Sequence, residues 1–291
     1  MTSPQPAQAL GARVPASNPA ARLRALGLKP RRGLSQSFLA DAGVARAIVE
    51  AAHLASGLDD VLEVGPGLGI LTERLVQRAR RVVAVELDPD LVHALPRLVL
   101  AENLTVVHAD ILQFNTTEHF DQPFVVVANL PYHVTSPAVR RLLLAGPPFA
   151  TRLIVMVQRE VAERLVAPTG NLSAIGAWVQ SQAGIEITRI VPSTAFHPRP
   201  NVDSAVLRLT PLPDEKRVIV RSEAEHFLDF LHAGFAQPRK VLGNSLAQGL
   251  KAERSETVRL LESAGIAARR RPQDLSVPEW AALFHAWTAR P

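Results

Sequence analysis

Short apolar runs follow one another through the middle of the chain, separated by amphipathic stretches. The runs are VLEV (61–64), VVAVEL (82–87), LTVVHA (104–109), FVVVAN (124–129) and RLIVMV (152–157). Runs that are apolar throughout, rather than in strict alternation, are typical of parallel strands covered on both faces. Most gaps between them also have room for a helix. The pattern therefore predicts an α/β fold with an open, mostly parallel sheet.

Local sequence signals predict the bounds of one helix and the strands of one sheet edge. Thr135 or Ser136 fits an N-cap, Pro137 fits the first helical turn, and Gly146 marks the end of that helix. Two later runs, IEITRIV (185–191) and SAVLRLT (204–210), are close enough in the chain to pair as an antiparallel edge of the sheet.

A helical region is predicted beyond the proline-containing segment TPLPDEK, where the short RVIV (217–220) is the one strand candidate. Ser222 with Glu225, and Ser276 with Glu279, fit the S/T-x-x-E capping box. The predicted helices span about 223–237, 254–264 and 277–288.

The chain is expected to divide into three parts. Residues 1–20 hold four prolines among Ala, Ser and Gln without periodicity, which predicts a disordered N-terminal arm. Residues 21–211 form the predicted Rossmann-like domain, and residues 212–291 form the predicted C-terminal helical domain. A length of 291 residues agrees with two folded domains.

The composition narrows the protein class. The chain has no cysteine, which excludes disulfides and thiolate metal sites. No apolar run approaches the roughly 18 residues that span a bilayer, and the first residues lack the apolar core of a signal peptide. We therefore expect a cytoplasmic protein without membrane or metal partners, and nothing in the sequence demands more than a monomer.

The positive charge is concentrated at the N-terminus. The formal net charge is +5, and the first forty residues contain no acid. Their six bases are Arg13, Arg22, Arg24, Lys29, Arg31 and Arg32, which leave 26 bases against 27 acids elsewhere. Such an arm suits a polyanion, and arginine suits bidentate phosphate contacts. A biased genome composition is the alternative explanation for the preference of Arg over Lys.

A glycine-rich turn follows the first predicted strand. Gly65, Gly67 and Gly69 allow a ligand to approach the backbone closely, although a structural turn without a ligand is also possible. Ile70 stands where the dinucleotide fingerprint needs a small residue, and no Gly-Lys-Ser/Thr follows as in a phosphate loop. An adenosyl ligand without phosphates, such as S-adenosylmethionine, fits better.

Polar side chains end the next predicted strands. Glu86 comes about twenty residues after the glycines, where a carboxylate can accept hydrogen bonds from a ribose diol. Asp110 can accept a hydrogen bond from an adenine amino group, or it can simply be an N-cap. Ligands in such sheets lie beyond the carboxyl ends of the strands, so we expect the glycines, Glu86, Asp110 and Asn129 to border one crevice.

The fourth predicted strand ends in Asn129-Leu130-Pro131-Tyr132. An exocyclic adenine amine is a poor nucleophile, since its lone pair is delocalised into the ring. The Asn129 side-chain oxygen and a carbonyl before or at Pro131 could accept both N6 hydrogens and aim the lone pair at a sulfonium methyl. Tyr132 could stack on a base that has left its helix. No general base is required, because the methylated aminium loses its proton readily to water; His133 is interpreted as a loop residue.

The chain resembles the KsgA-type small-subunit (16S) rRNA adenine N6-dimethyltransferases over about residues 30–285. The resemblance rests on VLEVGPGLGILT, VVAVELD, HADIL, NLPY, QREVAERL, FHPRPNVDSAV and PRKVLGNSL. The N-terminal motif departs from the family's Gly-Gln-Asn-Phe-Leu, because Ser35 and Ser37 replace its Gly and Asn.

The resemblance implies a class I S-adenosylmethionine-dependent methyltransferase fold with S-adenosyl-L-homocysteine as a product. It implies cofactor contacts from Gln36, Ser37, Leu39, Gly65, Gly67, Gly69, Glu86, Leu87, Asp110, Ile111 and Asn129. The target adenosine would be held by Asn129, Leu130, Pro131, Tyr132 and Phe196. Phe196 is alternatively a core aromatic. The departure at position 37 leaves a side-chain contact there open.

The family's target is a pair of adjacent adenosines in a hairpin loop near the 3′ end of small-subunit rRNA, within a partly assembled small ribosomal subunit, during ribosome biogenesis. Each adenosine receives two methyl groups. The C-terminal helical domain would help dock the enzyme on rRNA. Arg239-Lys240 and Arg269-Arg270-Arg271 could contact phosphates, or they could simply be solvated.

Several other functions compete with this one. A large-subunit rRNA adenine methyltransferase of the resistance type shares the glycine and NLPY motifs, but PRKVLGNSL and RPQDLSVPEWAALF are similar to the small-subunit family. A non-catalytic ribosome assembly factor could keep the fold, although the intact NLPY motif argues against it. A DNA adenine methyltransferase lacks a recognisable groove-reading module here, and a small-molecule methyltransferase would leave the basic arm without a purpose.

Overall fold

The computed structural model describes residues 14–34, 36–130, 134–237 and 239–290. Its helices are α1 (Pro19–Leu26), α2 (Ala42–Ala51), α3 (Thr72–Leu75), α4 (Pro89–Leu98), α5 (Thr135–Leu144), α6 (Arg159–Leu165), α7 (Ala174–Gln182), α8 (Ala224–Gly234), α9 (Leu242–Leu250), α10 (Arg254–Ser263) and α11 (Val277–Thr288). Its strands are β1 (Phe38–Leu39), β2 (Asp60–Val64), β3 (Arg81–Glu86), β4 (Leu104–His108), β5 (Phe124–Asn129), β6 (Ala150–Gln158), β7 (Ala183–Val191), β8 (Phe196–His197) and β9 (Ser204–Pro211).

Seven strands form the main sheet in the order β4-β3-β2-β5-β6-β9-β7. Strands β2 to β6 pair in parallel, with Val61 of β2 opposite Val82 of β3 on one side and Val125 of β5 on the other. Strand β9 pairs antiparallel with β6, and β7 lies beside β9 at the edge. The predicted α/β sheet with an antiparallel edge is confirmed.

Apolar burial explains why the central strands show no alternation. The side chains of Val61, Leu62, Val126 and Val127 are fully buried, because helices pack over the sheet. Helix α2 contributes Val44 and Ile48 to one apolar cluster, and α4 contributes Leu91 and Leu95 to a second one that also holds Leu23 of α1. Each buried side chain of this size stabilises the fold by about 1.5–3 kcal/mol.

Several predicted boundaries are shifted. The N-cap of α5 is Val134, so Thr135 is already helical and Pro137 is its third residue, where a missing N–H costs no intrahelical bond. Helix α8 has Glu223 as its N-cap without a side-chain bond, because a 3₁₀ turn over Arg221–Glu223 precedes it. The predicted capping box at Ser222 was therefore wrong, and the helix ends at Gly234 rather than at about residue 237.

Of two further C-terminal predictions, one is confirmed and one is wrong. The capping box of Ser276 and Glu279 is formed, and α11 follows it as predicted. The segment RVIV (217–220) is not a strand, because Ile219 is buried as a single apolar anchor within a bend.

The basic arm is more structured than the sequence suggested. Residues 1–13 lie outside the described part of the chain, whereas α1 begins at Pro19, with the Asn18 side chain capping the N–H of Ala21. An Asn N-cap followed by Pro at the first position is a strong start signal that proline content obscured. Arg22 is buried and paired with Glu73, so the prediction that it is a free cation for a polyanion was wrong.

The chain forms two compact units whose bounds differ from the predicted ones. The first combines the described residues up to Arg159 with Ile187–Leu209, and the second combines Glu160–Glu186 with the described residues from Thr210 onward. In the second unit, Trp178 of α7 donates its indole N–H to the Ala224 carbonyl at 2.7 Å, and Phe227, Phe230 and Phe284 form an aromatic core. Helices α6 and α7 thus belong with the C-terminal helices, although they precede the last sheet strands in sequence.

Among the cations of the second unit, Arg239, Lys240, Arg269 and Arg271 are exposed. Arg270 instead pairs with Glu279 of the capping box and donates to the Asp274 carbonyl. The pKa of Glu279 is lowered to about 2, chiefly by its hydrogen bond from Arg270. Arg270 therefore has a structural role that the sequence analysis did not predict, and the phosphate contact from its partly exposed side chain stays a prediction.

None of the helices in the described ranges is long and apolar enough to span a bilayer.

Candidate functional site

One cavity in the first unit lies at the carboxyl ends of the central strands. Predicted cofactor residues line it: Gln36, Ser37, Leu39, Gly65, Gly67, Glu86, Leu87, Asp110, Ile111 and Asn129. Leu130 and Phe196, predicted to hold the target base, line the same cavity. Pro131, Tyr132 and His133 lie outside the described residues. The structure thus brings the described residues of the two predicted sets to one place, with the exception of Gly69.

The glycine turn between β2 and α3 forms a cradle with no room for side chains. Gly65 and Gly67 have φ angles of +67° and +57°, in the left-handed region that favours glycine. A Cβ on Gly65 would lie 3.3 Å from the backbone oxygen of Asn129, and one on Gly67 would lie 3.1 Å from Cδ1 of Phe38. The floor of the cavity is therefore bare backbone, which suits a bulky adenosyl group, and it directly adjoins Asn129.

Gly69 serves a different purpose. It does not line the cavity, and its φ is +85°. A Cβ there would lie 2.9 Å from Cγ2 of Val99 and 3.0 Å from Cδ1 of Leu95, so glycine lets the turn approach α4 and the chain after it. The third glycine of the predicted motif is thus explained by packing.

Glu86 at the end of β3 is fixed with its carboxylate at the cavity. Oε1 accepts the N–H groups of Leu87 and Asp88 at 2.9 and 3.0 Å, and Oε2 accepts the Gly67 N–H at 3.2 Å. Burial raises the pKa of Glu86, and these three backbone donors counteract part of that rise. A carboxylate has about four lone-pair positions, so this anchored group keeps about one for a ribose hydroxyl.

Asp110 and Asn129 are the other polar strand-end residues that line the cavity. Oδ1 of Asp110 accepts the Leu112 N–H at 2.9 Å, so the capping interpretation is correct for one oxygen. Among the described residues, Oδ2 makes no such bond, which leaves it for a ligand donor. Asn129 is the last residue of β5, opposite Met156 of β6, and the strand pairing fixes its backbone while its half-buried side chain faces the cavity.

The N-terminal motif reaches the cavity through an unpredicted two-stranded sheet. Strand β1 pairs antiparallel with β8, so that Leu39 lies opposite Phe196. Ser37, where the family has Asn, donates its hydroxyl to the Pro198 carbonyl at 2.5 Å. Gln36 donates to Asp88 at 2.7 Å and accepts the Arg31 N–H at 2.8 Å. Phe196 is 6% exposed within the apolar core, so it lines the cavity and packs in the core at once.

Sequence reasoning missed one acidic residue of this region. Glu63 in β2 is 1% exposed, and neither carboxyl oxygen has a hydrogen-bond partner among the described residues. Burial raises the pKa of Glu63 to about 8. The neighbouring Thr72 lowers this pKa only in part, and the charge of the nearby Glu86 raises it further. A single acid inside the apolar run VLEV was the available signal, and the carboxyl group is neutral at physiological pH.

Comparison with known proteins agrees with this geometry. The profile of the family described as Ribosomal RNA adenine dimethylase matches residues 27–288. The chain belongs to the ribosomal RNA adenine dimethylase family. A protein named Ribosomal RNA small subunit methyltransferase A from Dehalococcoides mccartyi is 42% identical over 267 residues, which are 91% of this chain and 90% of that relative. A protein of the same name from Geobacillus thermodenitrificans is 39% identical over 272 residues, 89% of this chain and 92% of the relative.

Two solved structures are similar in fold to this dimethylase. A dimethyladenosine transferase from Plasmodium falciparum superposes with a TM-score of 0.72 at 23% identity, covering 86% of this chain and 97% of the other. The 23S rRNA methyltransferase ErmE superposes with a TM-score of 0.64 at 29% identity, covering 86% and 98%. The fold is that of a class I S-adenosylmethionine-dependent methyltransferase.

This dimethylase is an rRNA adenine dimethyltransferase that uses S-adenosylmethionine. The bare glycine cradle, the anchored Glu86 carboxylate and Asp110 fit the cofactor's adenosyl part. The described residues contain no group of three or more His, Asp or Glu side chains that could hold a metal ion.

Replacing Glu86 with alanine is expected to weaken S-adenosylmethionine binding by about tenfold or more, since the variant lacks the carboxylate that is predicted to accept from the ribose. Isothermal titration calorimetry measures the dissociation constant directly. Glu102→Ala, at an exposed glutamate, is the matched control and should bind normally. Unchanged affinity of the Glu86 variant would contradict the assignment.

Proposed function

We propose that this enzyme dimethylates N6 of two adjacent adenosines in a hairpin loop near the 3′ end of small-subunit rRNA, within a partly assembled small subunit. The observation that carries the proposal is the shared cavity: the backbone oxygen of Asn129 adjoins the glycine cradle, so an amine held at Asn129 lies next to a cofactor held at Gly65. The name of the Dehalococcoides mccartyi relative supports the small subunit as the target.

The side chains act by position rather than by acid–base chemistry. The side-chain oxygen of Asn129 and a backbone carbonyl of the following residues accept the two N6 hydrogens, which favours a pyramidal nitrogen with its lone pair aimed across the cavity. Bound S-adenosylmethionine supplies an electrophilic sulfonium methyl group. Leu130 and Phe196 shield the reacting atoms from water, since they are 2% and 6% exposed. The transferred methyl leaves a charged amine, which loses a proton to water.

The two roles predicted for Pro131 and Tyr132 are part of the same proposal. The carbonyl before or at Pro131 is proposed as the second acceptor of the N6 hydrogens, and Tyr132 is proposed to stack on the flipped base, with Phe196 on its other side.

The decisive experiment supplies radiolabelled S-adenosylmethionine and small-subunit particles that lack the modification, followed by mapping of the labelled nucleoside. N6,N6-dimethyladenosine at two adjacent loop adenosines supports the proposal. Label in large-subunit RNA alone would favour the activity named for ErmE, and particle binding without S-adenosylhomocysteine release would favour an assembly factor.

Exposed cations of the second unit are proposed to contact rRNA phosphates. We expect the double variant Arg239→Ala/Lys240→Ala to weaken particle binding and to lower its salt dependence by about two phosphate contacts. Filter binding over a salt series measures both. Cofactor affinity should stay unchanged, and Arg254→Ala, an exposed cation of the same unit outside the PRKVLGNSL motif, is the control. An equal loss in that control would remove the special role of the Arg239-Lys240 pair.

A further inference from the structure

A buried arginine contacts the cofactor turn from outside the cavity. Arg22 of α1 is 1% exposed, and its Nη1 donates to the Leu68 carbonyl at 2.6 Å. Its Nε donates to the Val14 carbonyl at 2.8 Å, and its Nη2 pairs with the Glu73 carboxylate. Burial of a guanidinium is unfavourable unless its donors are matched, and here each nitrogen has an acceptor.

The bond to Leu68 lies in the glycine-rich part of the turn. Leu68 stands between Gly67 and Gly69, the two residues of left-handed backbone that also have the widest conformational choice. The peptide that joins Leu68 to Gly69 has both of its polar groups bonded: its N–H donates to the Pro66 carbonyl at 2.9 Å within the turn, and its carbonyl accepts from Arg22 at 2.6 Å. Arg22 thus supplies the second of the two hydrogen bonds that fix this peptide beside Gly69.

The restraint extends to the proposed ribose ligand. Leu68 lines the cavity, whereas Arg22 does not. Next to Leu68, Gly67 donates its N–H to Oε2 of Glu86 at 3.2 Å. Loss of the Arg22 bond would loosen the turn at Leu68, which is joined directly to Gly67, and would thereby weaken both the cradle and the bond from Gly67 to the Glu86 carboxylate.

We propose that Arg22 is a positioning residue, which holds the Gly65–Gly69 turn in the shape that binds S-adenosylmethionine. It acts through Leu68 and touches neither cofactor nor rRNA. The inference rests on the cofactor site proposed at this turn, and it assigns to α1 a part in cofactor binding instead of the polyanion contact expected of the basic arm.

The test compares Arg22→Lys and Arg22→Met with Arg24→Met, an exposed arginine on the same helix. A lysine ammonium can pair with Glu73 but cannot reach three acceptors in the fixed geometry of a guanidinium. We expect both Arg22 variants to bind S-adenosylmethionine about tenfold more weakly by calorimetry, with KM for the cofactor raised and kcat at saturation nearly unchanged. Arg24→Met should match the wild type in each measurement.

Glu73→Gln separates loop positioning from stability. It removes the ion pair but keeps the bond from Arg22 to Leu68, so we expect a lower melting temperature with cofactor affinity within about twofold of wild type. If Arg22→Met does not fold, Arg22→Lys alone decides the matter. Wild-type affinity in folded Arg22→Lys overturns the inference.

The Glu86→Ala variant distinguishes failure of the Arg22 proposal from failure of the proposed cofactor site. Weak binding by that variant together with normal binding by the Arg22 variants rejects the role of Arg22 alone. Normal binding by all of them rejects the cofactor site itself.

Discussion

Replacing Asn129 with alanine is expected to lower the rate of N6 methylation by about 100-fold or more while the protein stays folded and binds its cofactor. Asn129 ends β5, where pairing with β6 fixes its backbone, and its side chain lines the cavity that also holds Glu86 and Asp110. The variant keeps the strand and the glycine cradle but loses the acceptor that orients the amine. Single-turnover methylation of small-subunit particles measures the loss.

Two further measurements make this result specific. Calorimetry should give a dissociation constant for S-adenosylmethionine within a few-fold of wild type, and Asn171→Ala, the same change at an exposed site, should methylate normally. Loss of cofactor binding as the sole defect would show that Asn129 serves the cofactor and not the target amine.

Replacing Glu63 with glutamine is expected to stabilise the protein at neutral pH by about 3 kcal/mol. Burial raises the pKa of Glu63 to about 8 from an ordinary value of 4.5. In the unfolded chain the group ionises above its ordinary pKa, whereas in the folded protein it stays protonated, so folding must take up a proton. The wild-type protein is therefore penalised increasingly as the pH rises from about 4.5 towards 8.

The sign of this effect can be measured by chemical denaturation across that range. The Glu63→Gln variant has no such proton uptake, so its advantage should vanish near pH 4.5 and reach its full size near pH 8. Glu102→Gln, at an exposed site, should follow the wild type throughout. A constant difference between Glu63→Gln and wild type at every pH would mean that the carboxyl group does not change its protonation on folding.

The elements at the centre of the fold could be predicted from local pattern. Strands β2, β3, β5 and β6 are largely continuous apolar runs because both faces of the sheet are buried there, whereas β4 at the edge is only partly buried. The ends of parallel strands meet at one edge, which is why the sequence alone predicts Glu86, Asp110 and Asn129 at one crevice. The capping box at Ser276 was equally local and was confirmed.

Pairings between distant segments could not be predicted in this way. The pairing of β1 with β8 joins two-residue strands that are too short to show a period, and the bond from Ser37 to Pro198 spans 161 residues. The grouping of α6 and α7 with the C-terminal helices depends on which apolar faces meet in three dimensions.

Arg22 and Glu63 show most clearly the difference between what the sequence determines and what the tertiary structure decides. In the sequence, Arg22 is one of several arginines in a basic arm and Glu63 is one acid in a predicted strand. The sequence therefore determines only that each residue has an ionisable side chain. Only the tertiary structure decided that Arg22 is buried with three acceptors and that Glu63 is buried without a hydrogen-bond partner in the part of the chain that the structure describes. Burial and partners are set by segments far apart in the chain, and they decide whether a charge is retained, neutralised or used to hold a loop.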